Sequence, residues 1–120
     1  MENKRNLVRI NKPWGSEVWL DVNEYFAVKF LLVRKGHKLS KQYHKYKYEF
    51  LYLISGKIKV TLNNKTKVLR SKKFIQNSKI TIKPNEIHRI EGIEDSIILE
   101  VSTPQLDDVI RLEDDYGRTK

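Results

Sequence analysis

The chain shows the two-residue hydrophobic period of β-strands along most of its length. In Ile58-Lys59-Val60-Thr61-Leu62, for example, the apolar side chains share one face and the polar ones the other. No segment of helical length carries a clean apolar stripe. Short β-branched or aromatic runs bounded by turn residues predict strands over Glu17–Leu20, Ala27–Val33, Phe50–Ile54, Lys57–Leu62, Ser78–Ile82 and Ser96–Ser102.

Turn residues separate these predicted strands. Ser55-Gly56 and Leu62-Asn63-Asn64-Lys65 have the composition of hairpin turns, and Lys83-Pro84-Asn85-Glu86 is a turn that opens a further strand. Many short, closely spaced strands indicate an all-β sandwich or barrel. The chain has 120 residues and no detectable linker or repeat, so we expect a single domain.

The segment from Thr103 onward has a different character. Pro104 ends the preceding strand, and Leu106 to Leu112 mixes acidic and apolar residues in a pattern that fits either a short strand or a turn of helix. Residues 113–118 are too polar to form a core. Taken alone, they indicate a frayed terminus.

Composition narrows the chemistry. The chain contains no cysteine, so disulfides and thiolate zinc sites are excluded, and a metal would need histidine, carboxylate, amide or water ligands. The first twelve residues lack an apolar run of signal-peptide length, and no stretch approaches the roughly eighteen uncharged residues of a membrane helix. We therefore expect a soluble, cytoplasmic protein with no membrane partner.

The net charge of +9 is unevenly distributed. Residues 1–83 contain 20 Lys and Arg against 5 Asp and Glu, whereas residues 84–120 contain 4 against 10. Most of the basic residues are lysines scattered through strand-like segments, which is typical of a solvated surface. A basic patch for phosphate-bearing ligands is the sharper alternative. We expect no nucleic-acid partner, because neither a recognition helix nor an aromatic-basic RNA motif is evident.

Four residues form a candidate metal site: Gln42, His44, Glu49 and His88. Gln42 and His44 are two positions apart, so on a strand both side chains leave the same face. Glu49 heads an apolar strand, where a buried carboxylate needs a partner. Taken singly, each residue has an ordinary structural explanation, but together they form a mixed nitrogen and oxygen set that suits one divalent first-row ion. The set does not distinguish Zn, Mn, Co, Fe and Ni.

The same residues resemble the first motif of the cupin superfamily, a glycine, five residues, His-x-His, three or four residues, Glu, six residues and a glycine. Gly36 and Gly56 occupy the glycine positions, and Gln42 replaces the first histidine. Pro84-Asn85-Glu86-Ile87-His88 is similar to the second motif.

A closer resemblance is to the C-terminal cupin domain of type II mannose-6-phosphate isomerases. It is carried by the Gln42-x-His44 pair and by three segments, Lys12-Pro13-Trp14-Gly15-Ser16-Glu17, Ile87-His88-Arg89-Ile90-Glu91 and Val109-Ile110-Arg111-Leu112-Glu113-Asp114-Asp115-Tyr116-Gly117-Arg118. The resemblance implies a single cupin jelly-roll barrel, with residues 1–16 as an N-terminal arm, residues 17–102 as the barrel and residues 103–120 folding over it. It also implies that the four candidate ligands hold the metal.

The implied function is metal-dependent aldose-ketose isomerisation of a sugar phosphate, mannose 6-phosphate to fructose 6-phosphate. The candidates for the base are Lys47, His37 and an unligated Glu49. The candidates for substrate and phosphate binding are Arg111, Arg118, Arg89, Lys83 and Tyr46. Family members usually carry His and Arg where this chain has Tyr46 and Lys47.

Two alternatives stay open from the sequence. One is an epimerase or isomerase acting on a nucleotide-linked or modified sugar in polysaccharide biosynthesis. The other is a non-catalytic sugar-binding cupin. Small β-barrels often pair through exposed edge strands, which favours a homodimer.

Overall fold

The computed structural model describes residues 7–71 and 78–119. These residues form eleven strands and no helix, so they contain no helix long and apolar enough to cross a membrane. The strands are β1 (Val8–Lys12), β2 (Gly15–Val22), β3 (Ala27–Val33), β4 (Lys41–Tyr43), β5 (Glu49–Ser55), β6 (Lys57–Leu62), β7 (Lys65–Arg70), β8 (Lys79–Ile82), β9 (His88–Gly92), β10 (Ser96–Ser102) and β11 (Ile110–Glu113). The predicted all-β class is confirmed.

The strands form two antiparallel sheets. The first has the order β1-β2-β3-β10-β5-β8, and the second has the order β11-β4-β9-β6-β7. The chain passes from one sheet to the other several times, and the inner faces of the two sheets enclose a common interior. Both sheets contribute to its core, which comprises Trp14, Leu31, Val33, Leu51, Leu53, Ile58, Val60, Leu69, Ile82, Ile90 and Ile98.

Strict alternation decides which side chains enter the interior. In β3 and β10 every second residue is buried, beginning with Ala27 and with Ser96. The same period that buries Leu31 and Ile98 also buries Lys29 and Glu100. The charged side chains of Lys29 and Glu100 therefore point into the interior, because both residues occupy inward positions of their strands.

The predicted hairpin at Asn63 and Asn64 is confirmed. Both residues have positive φ, as a two-residue turn with the hairpin twist requires, and the flanking residues Leu62 and Lys65 pair. The predicted turn before β9 is also confirmed, with the amide of Glu86 bonded to the carbonyl of Lys83.

The prediction of a hairpin at Ser55-Gly56 is wrong. β5 belongs to the six-stranded sheet and β6 to the five-stranded sheet, so this connection passes between sheets. Gly56 has a φ of 97°, and a Cβ placed there would lie 2.5 Å from the carbonyl oxygen of Asp95. The glycine is thus needed for the close crossing rather than for a two-strand turn.

Both flanking segments contribute strands. The segment that was predicted as an N-terminal arm contains β1 and the start of β2, which pair with each other along the edge of the larger sheet; residues 1–6 lie outside the described residues. At the other end β11 pairs with β4, and Tyr116 packs against the core. Of the two alternatives for Leu106 to Leu112, the short strand is therefore the one observed.

Candidate metal centre

Three buried side chains converge between the two sheets: His44, Glu49 and His88. His44 follows β4, Glu49 opens β5 and His88 opens β9. Nε2 of His44 lies 2.9 Å from Oε2 of Glu49, and Nε2 of His88 lies 4.0 Å from Oε1. One potential ligand atom from each residue lies within 4.8 Å of the others, which is close enough for a single ion to contact all three.

The two imidazole rings are held in the same way. Nδ1 of His44 contacts the backbone carbonyl of Asp108, and Nδ1 of His88 contacts that of Glu86 at 3.0 Å. A carbonyl only accepts hydrogen bonds, so each Nδ1 donates one to its carbonyl and each Nε2 is directed at Glu49. Burial lowers the pKa of His88 and favours the neutral ring. This orientation by an outer acceptor is typical of metal-binding histidines.

Gln42 lies beside the cluster. It pairs with His88 across the β4–β9 ladder, and its Nε2 lies 3.5 Å from Nε2 of His44. Its Oε1 accepts a hydrogen bond from the Ser40 hydroxyl. The hydroxyl can also accept a hydrogen bond, so a half-turn of the amide keeps that contact and directs the oxygen toward His44.

A buried cation connects the cluster to a second carboxylate. Nζ of Lys47 lies 3.0 Å from Oε2 of Glu49 and 3.3 Å from Oε2 of Glu100. Burial alone would lower the pKa of Lys47, but the charges of Glu100 and Glu49 outweigh it and raise that pKa. Burial alone would raise the pKa of Glu49, but its contact with His44 and the charge of Lys47 hold it well below the ordinary range. Glu49 is therefore ionised and Lys47 protonated.

A cavity of about 100 Å³ opens beside these residues. Gln42, His44 and Glu49 reach it from one side, and Trp14, Leu31, Leu39, Leu106 and Val109 form its apolar lining. Its remaining charged residues are Lys12, Glu17, Lys29, Lys47, Glu100, Arg111 and Arg118. With Glu49 included, five cations face three carboxylates, and Asp114 offsets one of the cations by its ion pair with Arg118. The remaining excess of positive charge favours an anionic ligand.

Two arginines of the C-terminal segment line the cavity, and they differ in their hydrogen bonding. Arg118 forms a fork with Asp114, with Nε and Nη2 at 2.9 and 2.8 Å from the two carboxylate oxygens. Arg111 lies opposite Gln42 on β11, and its Nε is buried with no hydrogen-bond partner among the described residues. Burial and the nearby Arg118 lower the pKa of Arg111. An anion in the cavity would satisfy this donor.

Asp108 fixes the loop that carries His44 and Lys47. Its carboxylate accepts hydrogen bonds from the backbone amides of Lys45, Tyr46 and Lys47 at 3.0, 2.7 and 3.1 Å. The same residue offers its carbonyl to the His44 ring. Although burial opposes the effect, the three amides lower the pKa of Asp108. The C-terminal segment therefore positions a candidate ligand that lies 64 residues earlier.

The structure separates four of the predicted site residues from this cavity. Arg89 follows His88 on β9 and so faces the other way, where it binds Asp115 at 2.8 Å. Lys83 and Tyr46 have exposed side chains, and neither lines the cavity. His37 bonds through its backbone to Gly92, which lies roughly 14 Å along β9 from His88.

The charged residues around the site that were not predicted include Glu17, Lys29, Glu100 and Asp108. The sequence did contain a signal for two of them. Lys29 and Glu100 each interrupt an apolar alternating strand at an inward position, where a charge is costly unless it has a partner. Glu17 and Asp108 lie in more polar stretches, where an ionic residue carries no such signal.

A family model and two curated relatives agree on the family of this chain. A family model described as mannose-6-phosphate isomerase C-terminal matches residues 1–114. The alginate biosynthesis protein AlgA of Pseudomonas aeruginosa is 34% identical over 120 residues, covering 96% of this chain. The mannose-1-phosphate guanylyltransferase ManC of Salmonella typhimurium is 33% identical over 114 residues, covering 91% of this chain. The chain spans about a quarter of the length of these relatives, 24% and 23% respectively.

Solved structures share the fold at low sequence identity. Pac13 of Streptomyces superposes with a TM-score of 0.76 and 18% identity, covering 95% of this chain and 93% of that one. The capsular polysaccharide assembling protein CapF of Staphylococcus aureus superposes with a TM-score of 0.73 and 17% identity, covering 92% of this chain and 35% of that one. These likenesses confirm the predicted cupin jelly-roll barrel.

Proposed function

Because the chain belongs to the mannose-6-phosphate isomerase C-terminal family, we propose that it is a metal-dependent isomerase that interconverts mannose 6-phosphate and fructose 6-phosphate. The buried convergence of His44, Glu49 and His88 supports this function best. Two imidazoles and a carboxylate suit a divalent first-row ion, with Gln42 as a fourth ligand after its amide turns. When bound, such an ion polarises a substrate carbonyl and the neighbouring hydroxyl.

The charged lining of the cavity supports a phosphorylated substrate. Arg111 offers a buried, unsatisfied Nε, and a phosphate dianion would accept from its guanidinium in a charge-assisted hydrogen bond. Asp114 holds Arg118 in place and offsets its charge, so Arg118 offers a phosphate only its remaining N–H donors. Arg111 is therefore the main phosphate ligand, and Arg118 supports it.

Lys47 holds charge in this proposal and does not transfer a proton. Its ammonium group lies between two carboxylates, which keep it protonated and unable to act as a base. It fixes the orientation of Glu49 toward the metal ligands. The arginine usual at this position in the family would supply the same charge with a wider fork of donors.

The names of the relatives suggest where such a reaction would be used. AlgA is an alginate biosynthesis protein, and XanB of Xanthomonas campestris is a xanthan biosynthesis protein. We extend this context to the present chain and propose that it supplies a sugar-phosphate precursor for a polysaccharide, in the cytoplasm.

The direct test is turnover by purified protein loaded in turn with Zn²⁺, Mn²⁺, Co²⁺, Fe²⁺ and Ni²⁺. The expected result is formation of fructose 6-phosphate from mannose 6-phosphate with at least one ion, and loss of that activity on chelation. Absence of turnover with every ion would exclude this isomerase function. If the sugar phosphate still bound, a non-catalytic sugar-binding role would replace it, whereas turnover of nucleotide-linked sugars alone would favour an epimerase or isomerase of that class.

A further inference from the structure

Glu100 is a buried carboxylate that faces the cavity from the middle of β10. It is 5% exposed and lines the same cavity as Glu49 and His44. Strand alternation directs its side chain inward, although its neighbours along the chain, Leu99 and Val101, are apolar and face outward. An apolar residue at this position would fit the core pattern, whereas burial of an ionisable group costs free energy unless the group has a partner.

Four charged groups lie near Glu100. Lys29 lies directly opposite on β3, Lys47 approaches from the loop before β5, and Glu17 and Glu49 face it from β2 and β5. Lys47 is within ion-pair distance at 3.3 Å, yet Oε2 of Glu100 makes no hydrogen bond within the described part of the chain. A buried acceptor of this kind is costly, and a ligand can satisfy it.

The three base candidates from the sequence are each unsuited to take a proton from a substrate. Glu49 is held between His44 and Lys47 and is a candidate metal ligand. Lys47 is paired with two carboxylates and stays protonated. His37 lies at the far end of β9. Of the other two carboxylates on the cavity wall, Glu17 pairs with Lys12 and Lys29, whereas Glu100 shares Lys47 with Glu49 and so lies next to the cluster.

We propose that Glu100 is the catalytic residue that moves the proton between C2 and C1 of the sugar phosphate, an inference that rests on the proposed isomerase function. The Glu100 carboxylate takes the proton from C2, the C–H electron pair becomes the C1–C2 double bond, and the carbonyl pair moves to O1. The O2 hydroxyl proton passes to O1, the C2–O2 double bond forms, and the C1–C2 pair takes the proton back from Glu100 at C1. Nothing else is consumed, and Glu100 ends as a carboxylate.

The surroundings of Glu100 suit this role. Burial and the neighbouring Glu49 raise the pKa of Glu100, whereas Lys47 and Lys29 oppose the rise. A carboxylate with a raised pKa is a stronger base than an ordinary one and is better matched to proton transfer near neutral pH.

The test compares wild type, Glu100→Gln and Glu91→Gln in D₂O with mannose 6-phosphate and the ion that supports turnover. Glu91 pairs with Lys59 on the outward face of β9, so Glu91→Gln is a matched carboxylate-to-amide control. NMR follows turnover together with deuterium entry at C2 of mannose 6-phosphate and at C1 of fructose 6-phosphate. Metal content is measured by mass spectrometry and sugar-phosphate affinity by calorimetry. We expect Glu100→Gln to slow exchange by about 10²- to 10⁴-fold while metal content and affinity stay within about three-fold of wild type. Glu91→Gln should match wild type in all three.

Each outcome decides a separate point. Exchange in Glu100→Gln within about five-fold of wild type would overturn the role of Glu100 and leave the isomerase proposal intact, and joint loss of metal and exchange would reduce Glu100 to a structural residue. A wild type that neither turns over nor exchanges any substrate would overturn the isomerase proposal and this inference together. If Glu100→Gln does not fold, Glu100→Asp keeps the carboxylate but withdraws it by one methylene; it should lose about 10- to 100-fold in exchange, and a wild-type rate would count against the proposal.

Discussion

Nε2 of His44 lies 2.9 Å from Oε2 of Glu49, and this contact bridges the two sheets of the barrel. His44 follows β4 of the five-stranded sheet, whereas Glu49 is the first residue of β5 in the six-stranded sheet. The candidate metal centre is therefore assembled only when the sheets are correctly packed. Its ligand geometry and the packing of the core are linked, so variants must be tested for both.

Alanine substitution of His44, Glu49 or His88 should abolish stoichiometric metal binding. Each change removes one of three converging ligands, so the affinity loss should exceed the roughly 100-fold upper range seen for outer partners of metal ligands. Gln42→Ala should have a smaller effect, because the Gln42 amide must turn away from its present hydrogen bond with Ser40 before its oxygen can reach the ion. Metal content after dialysis is measured by mass spectrometry, with Glu91→Gln as control. Full metal content in His44→Ala or His88→Ala would contradict the proposed centre.

Asp108→Ala should weaken metal binding without removing a ligand. The change removes three amide hydrogen bonds that hold residues 45–47 and frees the backbone that positions the His44 ring. We expect about a 10-fold loss of metal affinity and about 1–2 kcal/mol of stability, measured by metal titration and urea unfolding. Asp107→Ala, one residue away, is the control. Equal effects of the two substitutions would show that Asp108 does not position the loop that carries His44.

Lys47→Met should destabilise the barrel far more than Lys45→Met. Removal of Lys47 leaves Glu49 and Glu100 buried without their common cation, and breaking a buried ion pair in this way costs about 3–5 kcal/mol. Lys45 is exposed, so its substitution should change stability by no more than about 0.5 kcal/mol. Urea unfolding in the presence of a chelator measures both. Similar midpoints for the two variants would show that the buried pair is not significant.

Arg111→Ala should weaken binding of the sugar phosphate by about 10- to 100-fold, as loss of one or two charge-assisted hydrogen bonds predicts, with metal content unchanged. Lys83→Ala should bind like wild type, since Lys83 is exposed and does not line the cavity. The sequence predicted both residues as phosphate ligands, and the structure distinguishes between them. Calorimetry with mannose 6-phosphate provides the measurement. An equal loss in both variants would place the phosphate outside this cavity.

Acid should release the C-terminal segment in a window set by Asp114. Hydrogen bonds from Arg118 lower the pKa of Asp114 to about 2 in the folded protein. A group whose pKa is lowered by folding stabilises the fold above its ordinary pKa, near 4, and loses that contribution as the pH falls toward 2. NMR titration of the Asp114 carboxyl should give a midpoint near 2, and Asp114→Asn should remove this part of the acid sensitivity. A midpoint near 4 would show that the fork with Arg118 does not form.

Much of the fold could be predicted because burial follows the strand period closely. The bounds of β3, β6 and β10 were predicted without error, since each alternates between buried and less buried residues. β4 and β7 have no such pattern. β4 is three residues long and nowhere fully buried, and in β7 only Leu69 is buried. Their strand structure is set by pairing with neighbouring strands, which a single sequence does not reveal.

The candidate site likewise contains some residues that the sequence predicts and others that depend on strand pairing. The spacing of Gln42, His44 and Glu49 and the turn before His88 predicted a common site, and His44, Glu49 and His88 do converge. The arginines were harder, because Arg89 and Arg111 are both basic residues on strands and differ only in the face that pairing gives them. Glu100 is not among the predicted residues, because the apolar residues around it indicate a core strand; the signal for it is a single acid at an inward position of that strand.

Asp108 also bears on the order in which the protein matures during synthesis. The peptide carbonyl that orients His44 and the carboxylate that clamps residues 45–47 belong to a residue translated 64 positions after that histidine. A nascent chain on the ribosome would therefore contain all of its candidate ligands before Asp108 was available to position His44. Tight binding of the ion should therefore begin only after Asp108 has emerged from the exit tunnel, when nearly all of the barrel has been synthesised.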